Sequence, residues 1–75
     1  FNPKTTISYD ITKTSHVNIV VFDLLGNQVI SLVNEVKNSG NHNINFNGSE
    51  LSSGLYFVKM NVNNKVYMEK LMLMK

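Results

Sequence analysis

No cysteine occurs among the 75 residues, which removes the disulfide framework that many domains of this size depend on. A chain this short buries only about 60% of the surface its unfolded form exposes, so its core is marginal, and a metal or attachment to a larger partner is expected to help it. Exported bacterial domains also do without disulfides, so cysteine usage leaves the compartment open. Arginine is missing as well. All seven basic residues are lysines, scattered from Lys4 to Lys75. That leaves no bidentate reader of guanine or phosphate, and Tyr9, Tyr56 and Tyr67 do not cluster with lysines as a nucleic-acid groove requires. The net charge of +2 therefore reads as solvated surface and edge-strand protection, and no nucleic-acid partner is expected. No apolar run approaches membrane-spanning length, so no membrane insertion is expected. Alanine, the best helix former, is also absent.

What is present is strand and turn chemistry: Val, Ile, Thr, Tyr and Phe, with many asparagines. Thr5 to Ile11 alternates Ile7, Tyr9, Ile11, and Val17 to Asp23 alternates Val17, Ile19, Val21; both patterns predict half-buried strands. The polar stretch from Thr12 to His16 separates them. Asp23-Leu24-Leu25-Gly26-Asn27 predicts a type I turn with a bulge, in which Gly26 supplies the left-handed residue and Asp23 caps the turn. A third strand is expected over Gln28 to Val33, a loop over Asn34 to Asn41, and a fourth strand over His42 to Asn47. Tyr56, Val58, Met60 and Val62 alternate next, and Asn63-Asn64 suits a two-residue hairpin because asparagine tolerates positive φ. The last strand, Lys65 to about Met74, changes phase: Val66 and Met68 lead to Lys70, whereas Leu71 and Leu73 fall on the opposite phase. A bulge near Glu69 and Lys70 is the expected cause, with Lys70 facing solvent and Leu71 and Leu73 packing inward.

The most informative stretch is Leu51-Ser52-Ser53-Gly54-Leu55-Tyr56-Phe57-Val58. A glycine turn leads directly into an alternating strand, and the tyrosine stands two residues before Val58, as it would before the buried cysteine of an immunoglobulin-like strand. Tyr56 is thus expected to be buried, its hydroxyl bonded to backbone between Glu50 and Ser53, with Gly54 at positive φ. The fold implied is all-β, an immunoglobulin-like antiparallel sandwich of six to seven short strands, forming a single domain over residues 1–75 with no internal repeat.

No catalytic constellation emerges. His16 and His42 lie in separate segments without a second ligand at metal-site spacing, and Ser39 near His42 lacks an orienting third group. Asp10, Asp23, Glu35, Glu50 and Glu69 fall one to a segment, and a sandwich this small leaves little room for a cleft between two of them. Asn47-Gly48-Ser49 matches the N-glycosylation acceptor, but Asn-Gly reads first as a turn. Neither an enzyme nor a cofactor is expected.

Taken in order, five blocks carry a resemblance: Phe1 to Tyr9, with Asn2 and Pro3; Val17 to Gly26; Gly40-Asn41-His42; Leu51 to Phe57; and Lys70 to Lys75. Together they resemble the type A C-terminal sorting domains of the type IX secretion system. The resemblance implies a non-catalytic signal at the extreme C-terminus of a larger exported protein. It further implies recognition by the outer-membrane machinery of Bacteroidota and a sortase-like peptidase, with passage through the periplasm to the cell surface or medium. The signal is expected in Lys70, Leu71, Met72, Leu73, Met74 and Lys75, with Lys75 as the end of the precursor. Relative to the family, a short edge strand before Phe1 is expected to be missing. The blocks also resemble immunoglobulin-like modules of the flagellar hook-capping type, so the alternative is an accessory or spacer module contacting protein or carbohydrate.

Overall fold

The computed structural model describes residues 3–74. Six strands follow one another: β1 (Lys4–Ile11), β2 (Ser15–Phe22), β3 (Gln28–Lys37), β4 (Gly40–Asn47), β5 (Gly54–Val62) and β6 (Lys65–Leu73). They form two antiparallel sheets, one of β1 and β4, the other in the order β3-β2-β5-β6. No helix occurs among the described residues. This is an all-β sandwich, and its strand order and tyrosine corner are consistent with an immunoglobulin-like fold.

The alternating phases meet between the sheets. Val17, Ile19 and Val21 of β2 are fully buried against Tyr9 and Ile11 of β1, Phe46 of β4, Tyr56 and Val58 of β5, and Leu73 of β6. The turns follow their local chemistry. Gly26 sits at φ 87°, its N–H donates to the Asp23 carbonyl (3.1 Å), and the Asp23 carboxylate accepts from the N–H groups of Leu25 and Asn27. Asn63 and Asn64, at φ 50° and 66°, close the β5–β6 hairpin as a type I′ pair. Across the molecule, the Asn63 amide donates to the Ser15 hydroxyl (2.7 Å), which itself donates to the Lys13 carbonyl.

Three boundaries differ from the sequence expectation. β3 runs on to Lys37 and β4 begins at Gly40, so the expected loop from Asn34 to Asn41 shrinks to Asn38-Ser39. Burial does not hold the extension, because Asn34, Glu35 and Val36 are exposed; ladder pairing with Asn18, Val17 and His16 of β2 does. β2 also starts early, at Ser15, which pairs with Lys37 and is itself buried. The third correction concerns β6. Its pairing with β5 is unbroken from Val62↔Lys65 to Gly54↔Leu73, so there is no bulge at Glu69 and Lys70, and the register shifts lie between β2 and β3 instead. The phase change has another cause. A two-stranded sheet cannot cover all four strands opposite it, so Tyr67 and Glu69 need not be apolar, whereas Leu71 and Leu73 come under cover.

Candidate functional site

The strand-terminal region expected to carry the signal is positioned by the corner. The Tyr56 hydroxyl donates to the Ser52 carbonyl (2.7 Å), and Tyr56 is buried, as the sequence pattern predicts. Gly54, at φ 152°, opens β5, and pairing sets Gly54 beside Leu73 and Tyr56 beside Leu71. Preceding the corner, Asn47-Gly48-Ser49 is a turn: the Asn47 side-chain oxygen accepts from the Ser49 N–H, and Gly48 N–H donates to the Pro3 carbonyl (2.8 Å). Gly48 leaves little space for a side chain. A β-carbon there would stand 3.1 Å from Leu73 Cδ2 and 3.3 Å from the Pro3 carbonyl oxygen. Leu73 therefore plugs the base of the sandwich between the corner and the start of β1.

Along this end of β6 exposure alternates. Lys70, Met72 and Met74 face solvent; Leu71 is half-buried and Leu73 has no exposed surface. Of the six residues expected to act as one signal, the five described, Lys70 to Met74, thus divide into an outward set and an anchoring pair. Lys75 and Asn2 lie outside the described residues. Pro3 contributes its carbonyl to the Gly48 turn that precedes the corner, and Gly26 belongs to the β2–β3 turn at this same end of the four-stranded sheet.

Sequence reasoning missed the outer face of the four-stranded sheet. There Val20, Lys59 and Met68 form one row across β2, β5 and β6, Phe22, Phe57 and Lys70 form the next, and Leu55 pairs with Met72 beyond. The signal was available: Ile19 to Phe22 and Leu55 to Val58 are apolar in both phases, which a strand buried on one face does not require. A second opening lies on the other side, a cleft of about 310 Å³ bordered by Ile7, Tyr9, Met60 and Tyr67, where β1 has no partner besides β4 among the described residues.

Several polar groups are occupied structurally, although the buried Asn18 side-chain oxygen has no hydrogen-bond partner. His42 stacks on Tyr9 (ring centroids 5.4 Å apart) and its Nε2 donates to the Asn38 carbonyl. Asp10 accepts from the Asn41 amide, and Glu35 pairs with Lys37 at 2.8 Å. The hydrogen bond from Lys37, then its charge, holds the Glu35 carboxyl below its usual range; the same bond raises Lys37. Among the described residues no three potential ligands gather into a metal site.

Compared with known families, residues 2–74 match the secretion system C-terminal sorting domain. The chain belongs to that family. No curated protein matches it, and no solved structure does. The domain is a C-terminal sorting signal for type IX secretion, of a family that is not catalytic. Membership implies interaction with the type IX secretion system, a cargo domain upstream, and export to the cell surface or beyond. Nothing in the fold or the match favours an accessory or spacer module.

Proposed function

We propose that residues 1–75 act as one non-enzymatic sorting unit whose signal is the outward side of its last strand and the residue after it: Lys70, Met72 and Met74. Leu71 and Leu73 hold that strand in register rather than being read. The observation that supports this reading is the alternation of exposure from Lys70 to Met74, which leaves a folded domain with readable side chains at its end. A signal on a cargo that crosses the outer membrane folded must be legible without unfolding, and an edge strand at a chain end meets that need. The outer-membrane machinery is the reader, a sortase-like peptidase then removes the domain, and the cargo passes through the periplasm on the way.

The test is a reporter fused ahead of the domain in a host with the secretion machinery, with Lys70, Met72 and Met74 all replaced by serine. The expected outcome is reporter retained in the periplasm while the fusion melts as the intact one does. Surface display equal to that of the intact fusion would remove the signal from these side chains. Deleting Leu71 to Lys75 is the weaker experiment, because it also pulls Leu73 out of the core.

A further inference from the structure

Two lysines stand inside an apolar field on the outer face of the β3-β2-β5-β6 sheet. Lys59 lies between Val20 and Met68 in one cross-strand row, and Lys70 lies beside Phe57 and Phe22 in the next. Phe22, Phe57 and Val20 are half-buried, and Met68 is 60% exposed. Shallow hollows join them, one lined by Phe22, Asp23, Leu24, Phe57, Lys59 and Met68, the next by Phe57, Met68, Glu69 and Lys70. Among the described residues neither lysine has an ion-pair partner. Two carboxylates border the hollows, Asp23 and Glu69, yet neither ion-pairs with Lys59 or Lys70. Glu35 and Glu69 pair in register with Val17 and Val58, so they share the core-facing phase, and Oδ1 of Asp23 accepts from two backbone N–H groups. Asp10 belongs to the other sheet, and Glu50 to the corner turn.

We propose that this face docks a protein surface carrying carboxylates among apolar side chains, at least two of them placed to meet Lys59 and Lys70, a diagonal pair on neighbouring strands. Apolar groups of the partner cover Phe22, Phe57 and Met68, and exclusion of water there strengthens both ion pairs. An anionic bilayer fits the face less well. Lipid-binding patches use clusters of about four to eight basic residues, and two lysines fall short of that. Half-buried phenylalanines with an adaptable methionine instead suit a surface that packs against side chains. The inference rests on the sorting reading, since it gives the chemistry of the surface that the secretion machinery presents to the domain.

The experiment compares reporter fusions in a host with the machinery: intact domain, no domain, Lys59→Glu with Lys70→Glu, Lys59→Arg with Lys70→Arg, and a charge-matched control, Lys13→Glu with Lys65→Glu. Like charges brought together at an interface cost several kcal/mol, so the outer-face glutamate pair is expected to lower surface display by about tenfold or more. The arginine pair and the control should stay within about twofold of intact, as exposed charges elsewhere contribute little. Purified fusions should melt alike, because neither lysine reaches the core. If the intact fusion is displayed no better than the reporter alone, the sorting reading fails. If the intact and the outer-face glutamate fusions are displayed equally, the docking surface fails and the sorting reading stands. Loss by the arginine pair as severe as by the glutamate pair would overturn the charge argument. Flotation of the intact fusion, but not the glutamate pair, with vesicles of phosphatidylcholine and phosphatidylglycerol would overturn the protein partner in favour of a lipid surface.

Discussion

The hydroxyl of Tyr56 closes a loop of five residues onto its own strand, and its removal is a clean test of the corner. Tyr56→Phe keeps the ring and leaves the Ser52 carbonyl without its donor, so denaturant unfolding should show a loss of about 1 kcal/mol. Glycines test a different force. At Gly26 a β-carbon meets nothing within 4 Å, so Gly26→Ala is opposed only by the positive φ, about 1 kcal/mol. At Gly48 space is the obstacle: the same change drives a methyl against Leu73 and the Pro3 carbonyl, and overpacking of this kind costs about 1–3 kcal/mol. Gly48→Ala should accordingly lower the melting temperature more than Gly26→Ala. The Glu35–Lys37 pair gives the pH dependence a sign. The lowered Glu35 pKa contributes stability above its ordinary value of 4.5 that is lost as pH falls through the folded value; the raised Lys37 pKa contributes below 10.5 and is lost as pH rises through its own. Glu35 is exposed and Lys37 only half-buried, so the pair is screened by solvent and Glu35→Gln should leave the melting temperature at neutral pH nearly unchanged.

At the scale of elements, β6 is a strand with two jobs divided by phase. Leu73 is fully buried and Lys70 exposed, so Leu73→Ala is expected to cost about 2–5 kcal/mol and Lys70→Ala less than about 0.5 kcal/mol, a contrast that thermal melting resolves. The β5–β6 hairpin fixes that phase. Its two asparagines both occupy positive φ, and Asn64→Gly, giving the preferred Asn-Gly turn, should stabilise by about 0.5 kcal/mol. A loss of stability there would mean that the Asn64 side chain matters to the turn. The β3 extension to Lys37 shows the opposite case, an element maintained by ladder pairing alone; its exposed half was not legible as a strand because periodicity reports burial, and nothing there is buried.

For the whole molecule, the uneven sandwich explains where a partner can reach. Two strands lie over four, so part of β6 is uncovered inside, and the outer sheet face keeps Phe57, Met68, Lys59 and Lys70 accessible on the side away from the core. Serine at Lys70, Met72 and Met74 and glutamate at Lys59 and Lys70 therefore probe export without touching the packing, and surface display of a fused reporter reads both.

From the sequence alone came the all-β class, the two glycine-dependent turns, the Asn63-Asn64 hairpin, the tyrosine corner and the inward set from Ile7 to Leu73, because each depends on local backbone chemistry or on period-two burial. The five ordered blocks also carried the sorting role. Tertiary structure decided the rest. Which phase of β6 is covered depends on how many strands stand opposite, and that is a property of sheet pairing rather than of any one segment. The close approach of Leu73 to Gly48, and the meeting of Phe22, Phe57 and Lys70 in one row, join residues far apart in the chain through strand register. Register is set by pairing across the sheet, which no local pattern records.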